Sequence, residues 1–126
     1  FLGIAGEPYS RVLFEAGRRG LHAPFVGFGM AREYLPDGPQ GRGDIDSGPI
    51  VFGRSISSTG FLLACARQHG DVDTYSGIYR TVHLFGAPAT SGNRLQFAMG
   101  GPLGDAMMLA LLTAQPVNAA TPGGAP

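Results

Sequence analysis

The chain has 126 residues, 44% of them apolar and 14% charged, with a formal net charge of zero; that is enough for one modest domain with a core and excludes a chain disordered as a whole. All nine basic residues are arginines scattered along the sequence, a pattern that GC-rich coding explains and that offers nucleic acid no basic patch. The lone Cys65 excludes an intrachain disulfide, and no apolar run approaches the roughly 18 residues a membrane span needs.

The opening Phe1-Leu2-Gly3-Ile4-Ala5-Gly6 has neither an initiator Met nor a basic n-region, so it does not read as a signal peptide. The expectation is the C-terminal piece of a longer protein, with a single helical domain over 1–116 and a disordered tail over 117–126. The 21 glycines and ten prolines follow no period and punctuate apolar segments, which predicts long loops between regular elements.

A first helix is predicted from Pro8 to Arg18. Pro8 suits a first turn, where its missing N–H costs nothing. Tyr9, Val12, Leu13 and Ala16 form one apolar stripe, Arg18 and Arg19 favour the negative helix end, and Gly20 supplies a stop. A second helix is predicted from a Ser47 or Asp46 cap through Pro49, Ile50, Val51, Phe52, Ile56, Phe61, Leu62 and Leu63 to His69. Its apolar residues lie on more than one face, which predicts burial on most sides. Gly53 and Gly60 weaken it by roughly 1 kcal/mol each relative to Ala but admit a close neighbour. The poor helix former Ser55-Ile56-Ser57-Ser58-Thr59-Gly60 marks a place for a break or kink.

Gly70 then forms a tight turn, and Asp71 or Asp73 caps a third helix with the stripe Tyr75, Ile78, Tyr79, Val82 and Phe85, stopped by Gly86 and Pro88. A fourth begins at Pro102, carries Leu103, Ala106, Met107, Ala110, Leu111 and Ala114, and ends at Pro116. Strand signals are few: Phe25–Tyr34 reads as an extended arm or hairpin strand, with Leu95–Met99 as its nearest candidate partner. The expected fold class is therefore all-α, antiparallel helical hairpins with long loops at one end.

If consecutive helices alternate direction, loops 22–46 and 87–101 share that end, and long connections in a compact domain are usually functional. The first brings Arg32, Glu33, Tyr34, Asp37, Arg42, Asp44 and Asp46; the second brings Asn93, Arg94 and Gln96. One cleft roofed by loops over a helical scaffold is the expectation.

Within it, Asp44 and Asp46 are two residues apart. In an extended segment they point the same way with Cα atoms about 6.5–7 Å apart, close enough for an acid/base pair or a shared ligand. The alternative is that Asp46 caps the second helix while Asp44 pairs with Arg42. Glu33 is either the distant partner of Asp44 or an ion-pair partner of Arg32. Tyr34 offers a ring face and a hydroxyl, which Phe25 and Phe28 extend or simply pack beside. His22, His69 and His83 lie at no metal-ligand spacing, and without a lysine there is no phosphate-binding P-loop, so neither a metal nor another cofactor is expected.

Gly43-Asp44-Ile45-Asp46-Ser47-Gly48-Pro49-Ile50-Val51-Phe52-Gly53 and Gly101-Pro102-Leu103-Gly104-Asp105-Ala106-Met107-Met108-Leu109-Ala110 resemble consecutive inner-helix starts of six-hairpin glycosidase-like α/α toroids. That resemblance implies acids at loop–helix junctions lining a sugar cleft. The leading expectation is a toroid enzyme hydrolysing a glycosidic bond of a small-molecule or oligosaccharide substrate. Asp44, Asp46 and Glu33 would be catalytic; Arg42, Tyr34, Arg94 and Asn93 would bind substrate. The alternatives are a non-catalytic helical binding or structural module, and a toroid lyase or isomerase acting on a non-sugar substrate.

Overall fold

The structure, a computed structural model, describes residues 7–41 and 50–115, with the side chains of Glu7 and Val51 left aside. Among the described residues the chain is mixed α/β, with four helices and two antiparallel sheets, which corrects the all-α expectation. No helix among them is long and apolar enough to cross a membrane.

Helix α1 (Glu7–Leu21) runs through Gly17 and Gly20, past the expected stop. Its inward face is Ser10 and Phe14, one turn apart, while Tyr9, Val12, Leu13 and Ala16, the expected core stripe, are exposed. The reason lies in what α1 packs on. Phe14 stacks on the His69 ring at 4.9 Å between centroids, and the Ser10 hydroxyl meets His69 Nε2 at 3.0 Å. A serine and a phenylalanine therefore anchor the helix, and its widest apolar stripe faces away.

Strands β1 (His22–Phe25) and β2 (Phe28–Arg32) follow as a hairpin, then β3 (Ile50–Val51) and β4 (Arg54–Ser55) as a second, in one antiparallel sheet of order β1-β2-β4-β3. The turn residues Val26 and Gly27 have φ of 47° and 81°, and Phe52 and Gly53 have 51° and 72°. Two consecutive left-handed residues match the right-handed twist of a hairpin and cannot occur inside an α-helix. That is why residues 50–55, expected as the start of the second helix, are strand-turn-strand instead.

Helix α2 (Ile56–Gln68) begins only there, capped by Ser55, whose hydroxyl accepts from Ser58 N at 3.1 Å. The expected caps Ser47 and Asp46 lie outside the described residues. Gly70, at φ +70°, makes the tight turn into α3 (Val72–Gly86), which Asp71 caps by accepting from Thr74 N at 3.0 Å. Turn and cap both match the sequence pattern.

The core sits where β2 crosses α2 and α3: Leu63, Ala66 and Ile78 are fully buried, with Ala31, Phe14 and Leu62 around them. The strand lies very close to the helices because its inward residues are Gly29 and Ala31. A Cβ on Gly29 would come within 3.1 Å of Ile78 N and 3.2 Å of the Gly77 carbonyl carbon. Thr81 and Thr59 hydroxyls accept from the backbone N–H of Gly29 and Ala31 at 3.2 and 3.0 Å. Two threonines thus satisfy strand donors that would otherwise be buried without partners.

Strands β5 (Pro88–Ser91) and β6 (Arg94–Phe97) form a separate hairpin, so the expected pairing of Phe25–Tyr34 with Leu95–Met99 does not occur. Helix α4 (Gly101–Leu112) has no buried residue. It rests on α2 and the core through Leu111, poised over Gly60, and through Met108 and Leu112. Asp105 Oδ1 accepts from Phe97 N at 2.6 Å and ties α4 to β6.

Candidate functional site

A groove of about 230 Å³ runs between α1 and α2 over the edge of β2. Leu13, Phe14, Gly17 and Leu21 form one wall, Phe61, Leu62 and Cys65 the other, and Ala31 lies at its floor. The outward turn of α1 leaves Leu13 here, and Gly17 opens the wall, since a Cβ at that position would meet nothing within 4 Å. Burial in these apolar surroundings pushes the Cys65 thiol pKa upward, which suits a filler rather than a thiolate nucleophile.

The groove's polar end is Ser58. Its hydroxyl donates to Glu33 Oε2 at 2.6 Å, and the Ser55 hydroxyl donates to the same oxygen at 2.5 Å. Glu33 is delivered by the chain leaving β2, where its N–H donates to the Gly53 carbonyl at 3.0 Å. The carboxylate stands at the N-terminus of α2, where the helix dipole favours negative charge. The half-buried carboxylate is thereby presented to the groove through one serine.

A second polar spot lies where β1 pairs with β2. His22 Nε2 is buried against Gly29 with no hydrogen-bond partner among the described residues. Burial lowers the His22 pKa below its ordinary value; Asp71 draws it back up and Arg18 lowers it further. Asp71 is held by Arg18 Nε at 3.4 Å.

Of the site residues expected from sequence, Arg42, Asp44 and Asp46 lie outside the described residues. Glu33 joins Ser55 and Ser58. Tyr34 lies two residues beyond β2 with its hydroxyl close over Gly41. Asn93 and Arg94 are exposed at the turn of the β5–β6 hairpin, in the other sheet and away from the groove lining. Among the described residues, the two long connections expected to roof one cleft carry hairpins that lie in separate sheets, β1–β2 and β5–β6. Ser58, Gly17 and Phe61 were not singled out as site residues. The one sequence signal for Ser58 was the Ser55-x-x-Ser58 spacing of a helix cap, which the poor helix propensity of that stretch obscured.

No family model, curated protein or solved structure matches the chain. The site's own chemistry is what bears on its use.

Proposed function

We propose that this chain is a non-catalytic binding module that holds a small apolar molecule in the groove between α1 and α2. One observation carries the reading: a concave surface walled by Leu13, Leu21, Phe61 and Leu62 ends at a single hydrogen-bonding side chain with a defined partner, Ser58 on Glu33. Apolar walls supply most of the affinity of such sites, and a few placed polar groups set orientation.

Hydrolysis of a glycosidic bond, the leading expectation from sequence, draws on Asp44 and Asp46. Within the described residues it retains Glu33, whose hydrogen bonds to two serines at a helix start fit anchoring as well as chemistry.

The test is binding of benzene, an uncharged apolar probe, followed by methyl NMR. Saturable shifts at Leu13, Leu21 and Leu62 that vanish in Gly17→Leu, which fills the open wall, support the binding reading. Unmoved groove methyls, together with glycoside turnover abolished by Asp44→Asn, would replace it with the hydrolase.

A further inference from the structure

Helix α3 carries more apolar surface than the core takes up. Ile78 is fully buried, whereas Tyr79 and Leu84 stay 36% and 59% exposed. With Phe28 of β2 they wall an open pocket of about 350 Å³, to which Arg80 and His83 also contribute. Rings follow one another along the helix: Tyr79 stacks on Tyr75 at 6.0 Å between centroids and meets His83 at 5.9 Å. A spacing of four places them on one face, so Tyr79 is flanked by a ring in each direction.

Arg80 brings the charge. Its Nη1 donates to the Gly27 carbonyl at 2.9 Å, which fixes the guanidinium at the β1–β2 turn, beside Phe28. A guanidinium has five N–H donors in a planar fork, and this bond uses one. Arg80 makes no other hydrogen bond and no ion pair among the described residues, and no carboxylate lines the pocket. The residue is exposed, so its remaining N–H groups are open to a ligand. Such a fork matches a carboxylate bidentately.

We propose that this pocket is a second binding site, for a small aromatic carboxylate: its ring lies against Phe28, Tyr79 and Leu84, and its carboxylate takes the open side of the Arg80 fork. The site shares no lining residue with the groove between α1 and α2 and stands whether or not that groove binds. A cationic ring would meet like charge at Arg80. A phosphate would draw on a cluster of arginines, and the pocket has one.

The experiment titrates benzoate, benzamide and acetate into the full chain, read at the Leu84 methyls, with Leu13 and Leu62 reporting the groove. Benzoate gives saturable shifts at Leu84. Benzamide, a neutral analogue of the same shape, binds about fivefold more weakly, the upper end for a solvent-facing charge pair. Acetate, which lacks the ring, binds more weakly than either. Arg80→Gln removes the preference of benzoate over benzamide, and Arg80→Lys keeps part of it, since the charge stays and the fork is lost. Tyr79→Ala weakens benzoate and benzamide together. Both positions are exposed, and surface changes leave folding largely intact. Benzamide binding as tightly as benzoate to the unaltered chain, or a benzoate preference that survives Arg80→Gln, overturns the proposal. Leu84 unmoved by benzoate overturns it outright, whether or not Leu13 and Leu62 shift.

Discussion

Two halves of this molecule are both rich in apolar residues and use them in opposite ways. Where β2 crosses α2 and α3, small residues bring backbones together and Leu63, Ala66 and Ile78 are shut off from solvent completely. In α4, the sequence Leu103–Leu112 is more uniformly apolar, yet no residue is buried, and Leu103 and Leu109 are 74% and 66% exposed. Hydrophobicity alone does not decide burial. What decides it is a surface that can be approached, and Gly29, Ala31 and Gly77 provide one for β2 on α3, whereas among the described residues α4 nests against Gly60 alone.

The sharpest way to break this contrast is a matched pair of truncations. Leu63→Ala should cost about 2–5 kcal/mol, as expected for a cavity in a closed core, while Leu109→Ala should stay within about 0.5 kcal/mol, as at an exposed surface. Urea unfolding of both variants checks it, and equal losses would erase the distinction between the halves.

A smaller effect separates two glycines at the same crossing. Gly29→Ala places a methyl 2.8 Å from His22 Nε2 and 3.1 Å from backbone, and overpacking of that kind costs about 1–3 kcal/mol. Gly77→Ala meets nothing nearer than 3.4 Å, an ordinary contact, so its gain in helix propensity should stabilise by up to about 1 kcal/mol. Thermal melts of the two variants give the comparison directly.

The pH dependence of the same region follows from His22. Its folded pKa is lowered, so the unfolded chain binds the proton more readily. The stabilising contribution is present in full above the ordinary value of 6.5 and is lost as pH falls through the folded pKa. Stability measured from pH 7.5 downward should therefore decline more steeply in wild type than in His22→Leu, by an amount smaller than either glycine or leucine effect. Parallel curves would remove His22 from the account. Smallest of all, Gly17→Ala should stabilise by about 0.5–1 kcal/mol, because the position is helical with open space above it.

The helical parts that were legible in the sequence are those whose signals are local. Pro8 at a helix start, the left-handed turn at Gly70 and the Asp71 cap all act within a few residues of themselves, and the structure carries all three. Elsewhere positional context decides what a residue does. Gly53 read as a weak point inside a helix, but its φ of +72° beside Phe52 at 51° makes a hairpin. Such turns usually carry Asn, Asp or Gly at their first position, and the bulky Val26 and Phe52 hid both. The α1 stripe is a second case. Periodicity found an apolar face correctly, but a His69 ring on the far side chose Phe14 and Ser10 for burial, a contact 55 residues away for Phe14 that no local pattern carries. Glu33 was legible as a chemically unusual residue in an apolar arm; its serine partners were not, because they depend on β4 and α2 meeting β2.

The contrast between the halves also separates binding from stickiness. Both α4 and the α1–α2 groove expose apolar side chains, but the groove alone is concave and ends in the Ser58–Glu33 pair. A crystal structure of the chain soaked with benzene tests this most directly. The account predicts benzene in the groove, against Leu13, Phe61 and Leu62. Benzene scattered over Leu103 and Leu109 while the groove stays vacant would contradict it.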